Sequence, residues 1–247
     1  MKIALASARV ADRETAQNLR EMLACMARLR GKADLVVFGE TALQGFGCLC
    51  WAYDTDKHTA VTLEDDSILQ LRRAAKENGI AVSFGFIECA GDVLYSSQLF
   101  LGADGEVVKV FRRVSAGWKE VRQTDAHYRE GRGFEKFVYG GQSFAIALCG
   151  DLWTDGRPEE MKALGAEIVL WPVWCDFPPE EWNAAEKYEY AKQAERCGTD
   201  VLYVNPYCVS AAEDCATGGA AHFRAGGLAQ ELPAGAPGCL LVELSRE

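Results

Sequence analysis

The 247-residue chain has only three histidines and seven prolines, and it lacks the long apolar run of about 18 or more residues that a membrane-spanning helix needs. No membrane association is therefore expected. His58, His127 and His222 are scattered, and neither a C-x-x-C pair nor an H-E-x-x-H motif occurs. The spaced ligand pairs of a structural zinc site are missing, so no metal is expected. Long basic runs are absent as well. The pieces "RLRGK" and "VFRRV" are short, and with a formal net charge of -10 the chain lacks the clustered cations that phosphate binding requires, which excludes a nucleic-acid partner. The opening "MKIALASARVADRE" has too brief an apolar stretch for a secretion signal and reads as a first strand, so a cytoplasmic protein is expected.

What the chain does have is cysteine, ten of them, at 25, 48, 50, 89, 149, 175, 197, 208, 215 and 239. They follow no regular framework and read as reduced thiols, mostly small core residues. Around them the pattern alternates strand and helix. "KIALASARV" reads as a strand, and "RETAQNLREMLACMARLRGK" places Leu19, Met22, Leu23, Met26 and Leu29 on one helical face before Gly31. Strand "ADLVVFGE" and helix "DDSILQLRRAAKENG" follow. Strands are then expected at "IAVSFGFIE", "VLYSSQLFLG", "EVVKVFRRV" and "QSFAIALC". After the short helix "RPEEMKALG" come strand "AEIVLWPVW", helix "PPEEWNAAEKYEYAKQAERCG" and strand "DVLYVNPYC". A Gly- and Ala-rich tract leads to a last strand, "GCLLVELS". No linker or composition break divides the chain, so residues 1–247 read as one α/β domain with mixed sheets covered by helices on one side.

In such folds ligands collect beyond the carboxyl ends of strands. Glu40 stands there after "DLVVF", Cys149 after "FAIAL", and the cations of "RRVSAGWKE" after "VVKVF". By position alone, a cysteine after an apolar strand is an ordinary core residue. An acid, a thiol and a cation brought together can do more. The carboxylate takes the thiol proton, the thiolate attacks a carbonyl, and the cation holds the oxyanion that forms.

Four segments, "DLVVFGETALQGF", "GEVVKVFRR", "FAIALCGDLW" and "GAEIVLWPVW", resemble in content and order the nitrilase, or carbon–nitrogen hydrolase, superfamily. "AERCGTDVLYVNPY" agrees, with Asn205 at a position like that family's recurring asparagine. The resemblance implies a four-layer α-β-β-α sandwich with two mixed central sheets, assembled as a homodimer or larger homo-oligomer. It also implies a Glu-Lys-Cys triad that cleaves a non-peptide C–N bond without metal or organic cofactor. Carried onto this chain, Glu40 is the base and Cys149 the nucleophile.

The chain departs from the pattern at the lysine. Arg113 of "FRR" falls on the slot, and Lys119 in "AGWKE" is the nearest lysine downstream, with Lys109 upstream. Lys119 is favoured over Arg113, because an ammonium tunes its charge and a guanidinium does not. Glu120 or Glu130 could supply the second glutamate of many relatives. Gly39 stands before Glu40 where proline is common. Trp51, Tyr53, Trp174 and Phe177 are candidate pocket walls, with core or dimer packing as the alternative. The leading expectation is hydrolysis of a small carboxamide or N-carbamoyl compound. A non-catalytic ligand-binding relative, suggested by Arg113, is the alternative, and a thiol-rich redox or metal-binding protein is a third.

Overall fold

The computed structural model describes residues 1–212 and 214–244. Two six-stranded sheets stack at its centre. The first has the order β14 (Gly238–Glu243), β1 (Lys2–Ser7), β3 (Leu35–Phe38), β4 (Ala81–Ala90), β5 (Val93–Leu101), β6 (Val107–Arg112). The second runs β13 (Gly227–Leu232), β12 (Ala220–Arg224), β10 (Asp200–Val204), β9 (Ile168–Pro172), β8 (Gln142–Ile146), β7 (Phe137–Tyr139). Each has a parallel centre and antiparallel edges, so both are mixed. A small parallel pair, β2 (Arg9–Val10) with β11 (Tyr207–Cys208), ties the two halves together.

The apolar runs follow from burial on both faces of a strand. Along β1, Ile3 and Leu5 join the core between the sheets, while Ala4 and Ala6 join the outer cluster under the helices. Along β3, Leu35 and Val37 face inward, and Val36 and Phe38 outward. Period-two alternation thus feeds two apolar layers. Phe100 fastens sheet to sheet, with its ring centroid 5.2, 5.1 and 5.8 Å from those of Phe137, Tyr139 and Phe144.

Helices cover the outer faces. Over the first sheet lie α1 (Thr15–Leu29), which buries Leu19, Met22, Cys25, Met26 and Leu29, and α3 (Asp66–Asn78), which ends at left-handed Gly79. The one-turn α2 (Tyr53–Asp56) lies in the loop between them. Over the second sheet lies α4 (Arg157–Ala163), followed in sequence by α5 (Pro179–Glu181), which runs through a π-helical turn at Trp182–Glu186 into α6 (Lys187–Glu195). The result is the expected α-β-β-α sandwich.

Two readings of the sequence need correction. The Gly- and Ala-rich tract is not a plain connector, because it contains the β12–β13 hairpin. Its small residues Ala220 and Ala221 are buried against β10, and Ala225 and Gly226 turn the chain with positive φ. Nor are all ten cysteines thiols. Cys208 and Cys215 form a disulfide with Cα atoms 5.3 Å apart, because the chain doubles back after β11. Expectations for Ser245 fall outside the described residues. Among those described, no helix is long and apolar enough to cross a membrane.

Candidate active site

Glu40 leaves the end of β3 and is wholly buried, with its N–H donated to the carbonyl of Val173 at 3.2 Å. Gly39, just before it, is set by packing rather than by a bend, since a Cβ there would lie 2.4 Å from Cδ of Pro206. Behind the next peptide runs β4, and a Cβ on Gly85 would lie 2.3 Å from the nitrogen of Thr41. Thr41 itself is left-handed at φ 48°, a costly state for a β-branched residue that signals an over-determined turn. The Glu40 carboxylate accepts hydrogen bonds from Ser96 Oγ at 2.7 Å and from Arg113 Nη1 at 3.0 and 3.2 Å.

Arg113 is the residue after β6, and alternation along that strand sends it to the face opposite Arg112. Only 3% of it is exposed. Nε donates to Ser115 Oγ at 2.9 Å. Burial opposes its charge, but Glu40, Cys149 and Asp151 outweigh that, so its pKa rises further and it stays a cation.

Cys149 opens the 3₁₀ turn Cys149–Trp153 beyond β8 in a left-handed conformation, φ 41°. A non-glycine residue held there by its surroundings is a common mark of a functional turn. Its carbonyl accepts the indole N–H of Trp171 at 2.9 Å, and its Sγ lies 3.5 Å from the carbonyl oxygen of Trp174. Loss of water pushes the thiol up to about 12 against the pull of Arg113, with Glu40 adding to the rise. The thiol form is therefore favoured at neutral pH.

Two polar residues lock these parts together. The buried carboxylate of Asp151 accepts N–H groups from Val114 at 3.0 Å, Ser115 at 2.8 Å and Leu148 at 2.9 Å. It staples the cysteine turn to the chain just after Arg113. Burial raises its pKa to about 6, against the lowering by Arg113 and these N–H groups. Asn205 accepts the N–H of Cys175 at 2.9 Å and donates to the carbonyls of Cys175 at 2.8 Å and Gly218 at 3.1 Å. It fixes the segment whose carbonyls, at Val173 and Trp174, meet Glu40 and Cys149.

The remaining candidates lie elsewhere. Lys119, favoured from sequence, turns away: its Nζ donates to the carbonyl of Tyr128 at 2.6 Å and pairs with Glu130 at 2.8 Å. The cation on Glu40 is Arg113, because it continues the strand, whereas Lys119 follows a 3₁₀ turn at Ala116–Trp118 that redirects the chain. Lys109 pairs with Glu135. Glu120 is exposed in the following loop, and Glu130 is occupied by Lys119. Trp51 and Tyr53 pack in a separate cluster with Trp118 and Tyr128, Tyr53 stacking on His127 at 3.8 Å. Trp174 reaches Cys149 through its backbone, while its ring stacks on Phe46 at 5.7 Å and its indole N–H donates to the carbonyl of Asp214 at 2.7 Å. Sequence reasoning passed over Ser96, Ser115 and Asp151. Only Asp151, two residues after the cysteine, carried a positional hint. Among the described residues no group of three or more His, Cys, Asp or Glu is arranged to hold a metal ion.

The chain is similar to an (R)-stereoselective amidase from a Pseudomonas species, 28% identical over 171 residues that cover 69% of this chain and 59% of that protein. It is also similar to an N-carbamoylputrescine amidase of Arabidopsis thaliana, 24% identical over 162 residues, or 65% of this chain and 54% of that one. The matches thus span little more than half the length of these curated relatives. Among solved structures, an amidase from Nesterenkonia sp. superposes with a TM-score of 0.79 at 20% identity, over 99% of this chain and 90% of that one. A glutamine-dependent NAD+ synthetase from Acinetobacter baumannii superposes at 0.75 and 22% identity, over 99% of this chain and 45% of that one. At such identities the structures show a shared fold. The carbon-nitrogen hydrolase family matches residues 2–214, well over half of the chain, and the protein belongs to that family.

Proposed function

We propose that the protein is a cysteine-dependent amidase that cleaves the C–N bond of a small carboxamide or N-carbamoyl compound. The observation that carries this reading is the buried Glu40–Arg113 pair whose charges both act on the Cys149 thiol. Glu40 accepts the thiol proton as Sγ attacks the carbonyl carbon, which suits a thiol too weakly acidic to ionise by itself. The tetrahedral oxyanion is held by Arg113, a fixed charge in a site poor in water. Protonated Glu40 then returns its proton to the departing nitrogen, so ammonia or an amine leaves and a thioester remains on Cys149. Glu40 next deprotonates a water that attacks the thioester, releasing the acid and restoring the thiol.

Arg113 changes one feature of the triad expected from the resemblance. A guanidinium does not give up a proton at accessible pH. Proton traffic therefore runs through Glu40 alone, with Arg113 as a pure electrostatic partner. The amidase names among the relatives support the substrate class, and a glutamate-to-glutamine mutant of the Nesterenkonia amidase carries acrylamide added at its active-site cysteine.

The test is ammonia release from a panel of small amides and N-carbamoyl compounds, with mass spectrometry of the Cys149 peptide after rapid quenching. Turnover together with an acyl mass on Cys149 is expected. The same Arg113 favours a second reading, a ligand-binding relative without turnover. Binding of an amide with neither ammonia nor adduct would replace the first reading with the second.

A further inference from the structure

Arg113 divides its three nitrogens unequally. Nη1 is spent on both Glu40 oxygens and Nε on Ser115, while Nη2 has no hydrogen-bond partner among the described residues. What lies beside Nη2 is glycine. A Cβ on Gly150, the residue directly after the nucleophile, would sit 2.8 Å from Nη2 and 3.3 Å from Ser115 Oγ. A Cβ on Gly117 would sit 3.1 Å from the same nitrogen. Neither glycine has a positive φ, so neither is needed for a left-handed backbone. Their missing side chains serve a neighbour.

That neighbour cannot step aside. A flexible arginine tip would normally swing away from an added methyl group, but this one is buried and pinned on two sides. Moving Nη2 turns the whole planar guanidinium, and with it the hold of Nη1 on Glu40. A lysine ammonium is a single nitrogen on an unbranched stem, without the second arm that fills the space over Gly150.

We infer that Gly150, seconded by Gly117, is a positioning residue that makes the slot for a guanidinium, so that Arg113 and Gly150 form a matched pair. The gap they leave holds Nη2 unspent beside the nucleophile turn, where it is the arm available to the substrate oxygen. This assignment rests on the amidase reading above and sharpens it. An arginine at this position needs a residue without a side chain after the cysteine, and a lysine does not.

A double-mutant cycle tests the pair, using Gly150→Ala, Arg113→Lys and the two combined. Gly150→Ala alone should lower kcat/KM by on the order of 10², mostly in kcat, because the donor is displaced rather than the pocket blocked. Adding Arg113→Lys should recover at least about tenfold of that loss, a rescue that a merely structural glycine would not give. A second readout does not depend on turnover. The pH profile of Cys149 alkylation by iodoacetamide, followed by peptide mass spectrometry, should move to higher pH in Gly150→Ala as the guanidinium leaves the thiolate, and move back in the double variant. If the wild type releases no ammonia from any amide, the amidase reading fails, while the alkylation series still decides the pair. If Gly150→Ala does not fold, Gly117→Ala, with its looser 3.1 Å contact, replaces it and should show a smaller effect in the same direction. Wild-type rates and profiles in the alanine variants, or strict additivity in the cycle, would overturn the inference.

Discussion

Adjacent residues build the same three-part constellation twice. On one face of the β4–β5–β6 ribbon, Glu88 accepts Ser97 Oγ at 2.7 Å and both Nε and Nη2 of Arg112 at 2.8 and 2.7 Å. On the other, Glu40 accepts Ser96 Oγ and Arg113 Nη1. Ser96 and Ser97, like Arg112 and Arg113, are neighbours sent to opposite faces by the pleat. The difference lies in burial and in what stands beside the arginine. Arg112 spends its fork bidentately on Glu88, lies over the Tyr95 ring at 4.1 Å, and keeps 37% of its side chain exposed. Arg113 is buried and spends one terminal nitrogen, leaving the other beside a cysteine turn. A glutamate, an arginine and a serine make a structural clasp when Nε and a terminal nitrogen of a partly exposed arginine both close on the one carboxylate. They make a candidate site when the arginine is buried, divides its donors between a carboxylate and a second serine, and lies beside a cysteine turn.

The comparison breaks most sharply at the acids. Glu40→Gln should fold yet lose on the order of 10²–10⁴ in kcat, because the amide keeps its shape but takes no proton. Glu88→Gln should leave kcat within a few-fold of wild type. Initial rates on one amide decide it, and equal losses would end the distinction.

The arginines come next, in stability. Arg113→Ala strands a wholly buried carboxylate and should cost about 3–5 kcal/mol. Arg112→Ala opens its carboxylate to water and should cost clearly less, as urea unfolding will show.

Asp151 sharpens the contrast through pH, since it ties the cysteine turn to the chain just after Arg113. Its folded pKa of about 6 lies above the ordinary carboxylate value of 3.8. The folded state thus binds this proton more readily than the unfolded chain. Its contribution is full below about 4 and is lost as pH rises through 6, a change on the order of 3 kcal/mol. Relative to Asp151→Asn, the wild type should lose thermal stability between pH 4 and pH 7. A constant gap in Tm would mean that Asp151 does not titrate there. The smallest effect belongs to Lys119→Ala, which removes a loop tie to Tyr128 and Glu130 and should change kcat less than about tenfold. A loss of 10² or more, the scale of a missing oxyanion donor, would return Lys119 to the site.

Strand ends were the legible part of this molecule. Glu40 and Cys149 stand out because uninterrupted apolar runs point at them, and such runs mark strands buried on both faces. The choice between Arg113 and Lys119 was harder, since sequence distance does not show where a side chain points. Chemistry favoured the lysine, and pleat alternation carried through Arg112 decided for the arginine. Ser96 was hidden in an ordinary strand, because its partner lies 56 positions away and on another strand. The β12–β13 hairpin was masked by alanines and glycines, which carry little strand preference and gain their place from tertiary packing. The Cys208–Cys215 pairing needed knowledge of the fold, since it depends on the chain doubling back after β11.

Glu40 and Arg113 issue from strands of one sheet and Cys149 from a strand of the other, joined through the carbonyls of Val173 and Trp174 and the carboxylate of Asp151. Neither sheet alone owns a complete site. The proposed site is a seam, and it exists only while the two sheets keep their mutual register. Secondary structure can persist in a loosened state after that register is gone. Under mild denaturant, turnover should therefore vanish before the circular dichroism of strands and helices does, which makes catalysis the finer gauge of how well the sandwich is closed.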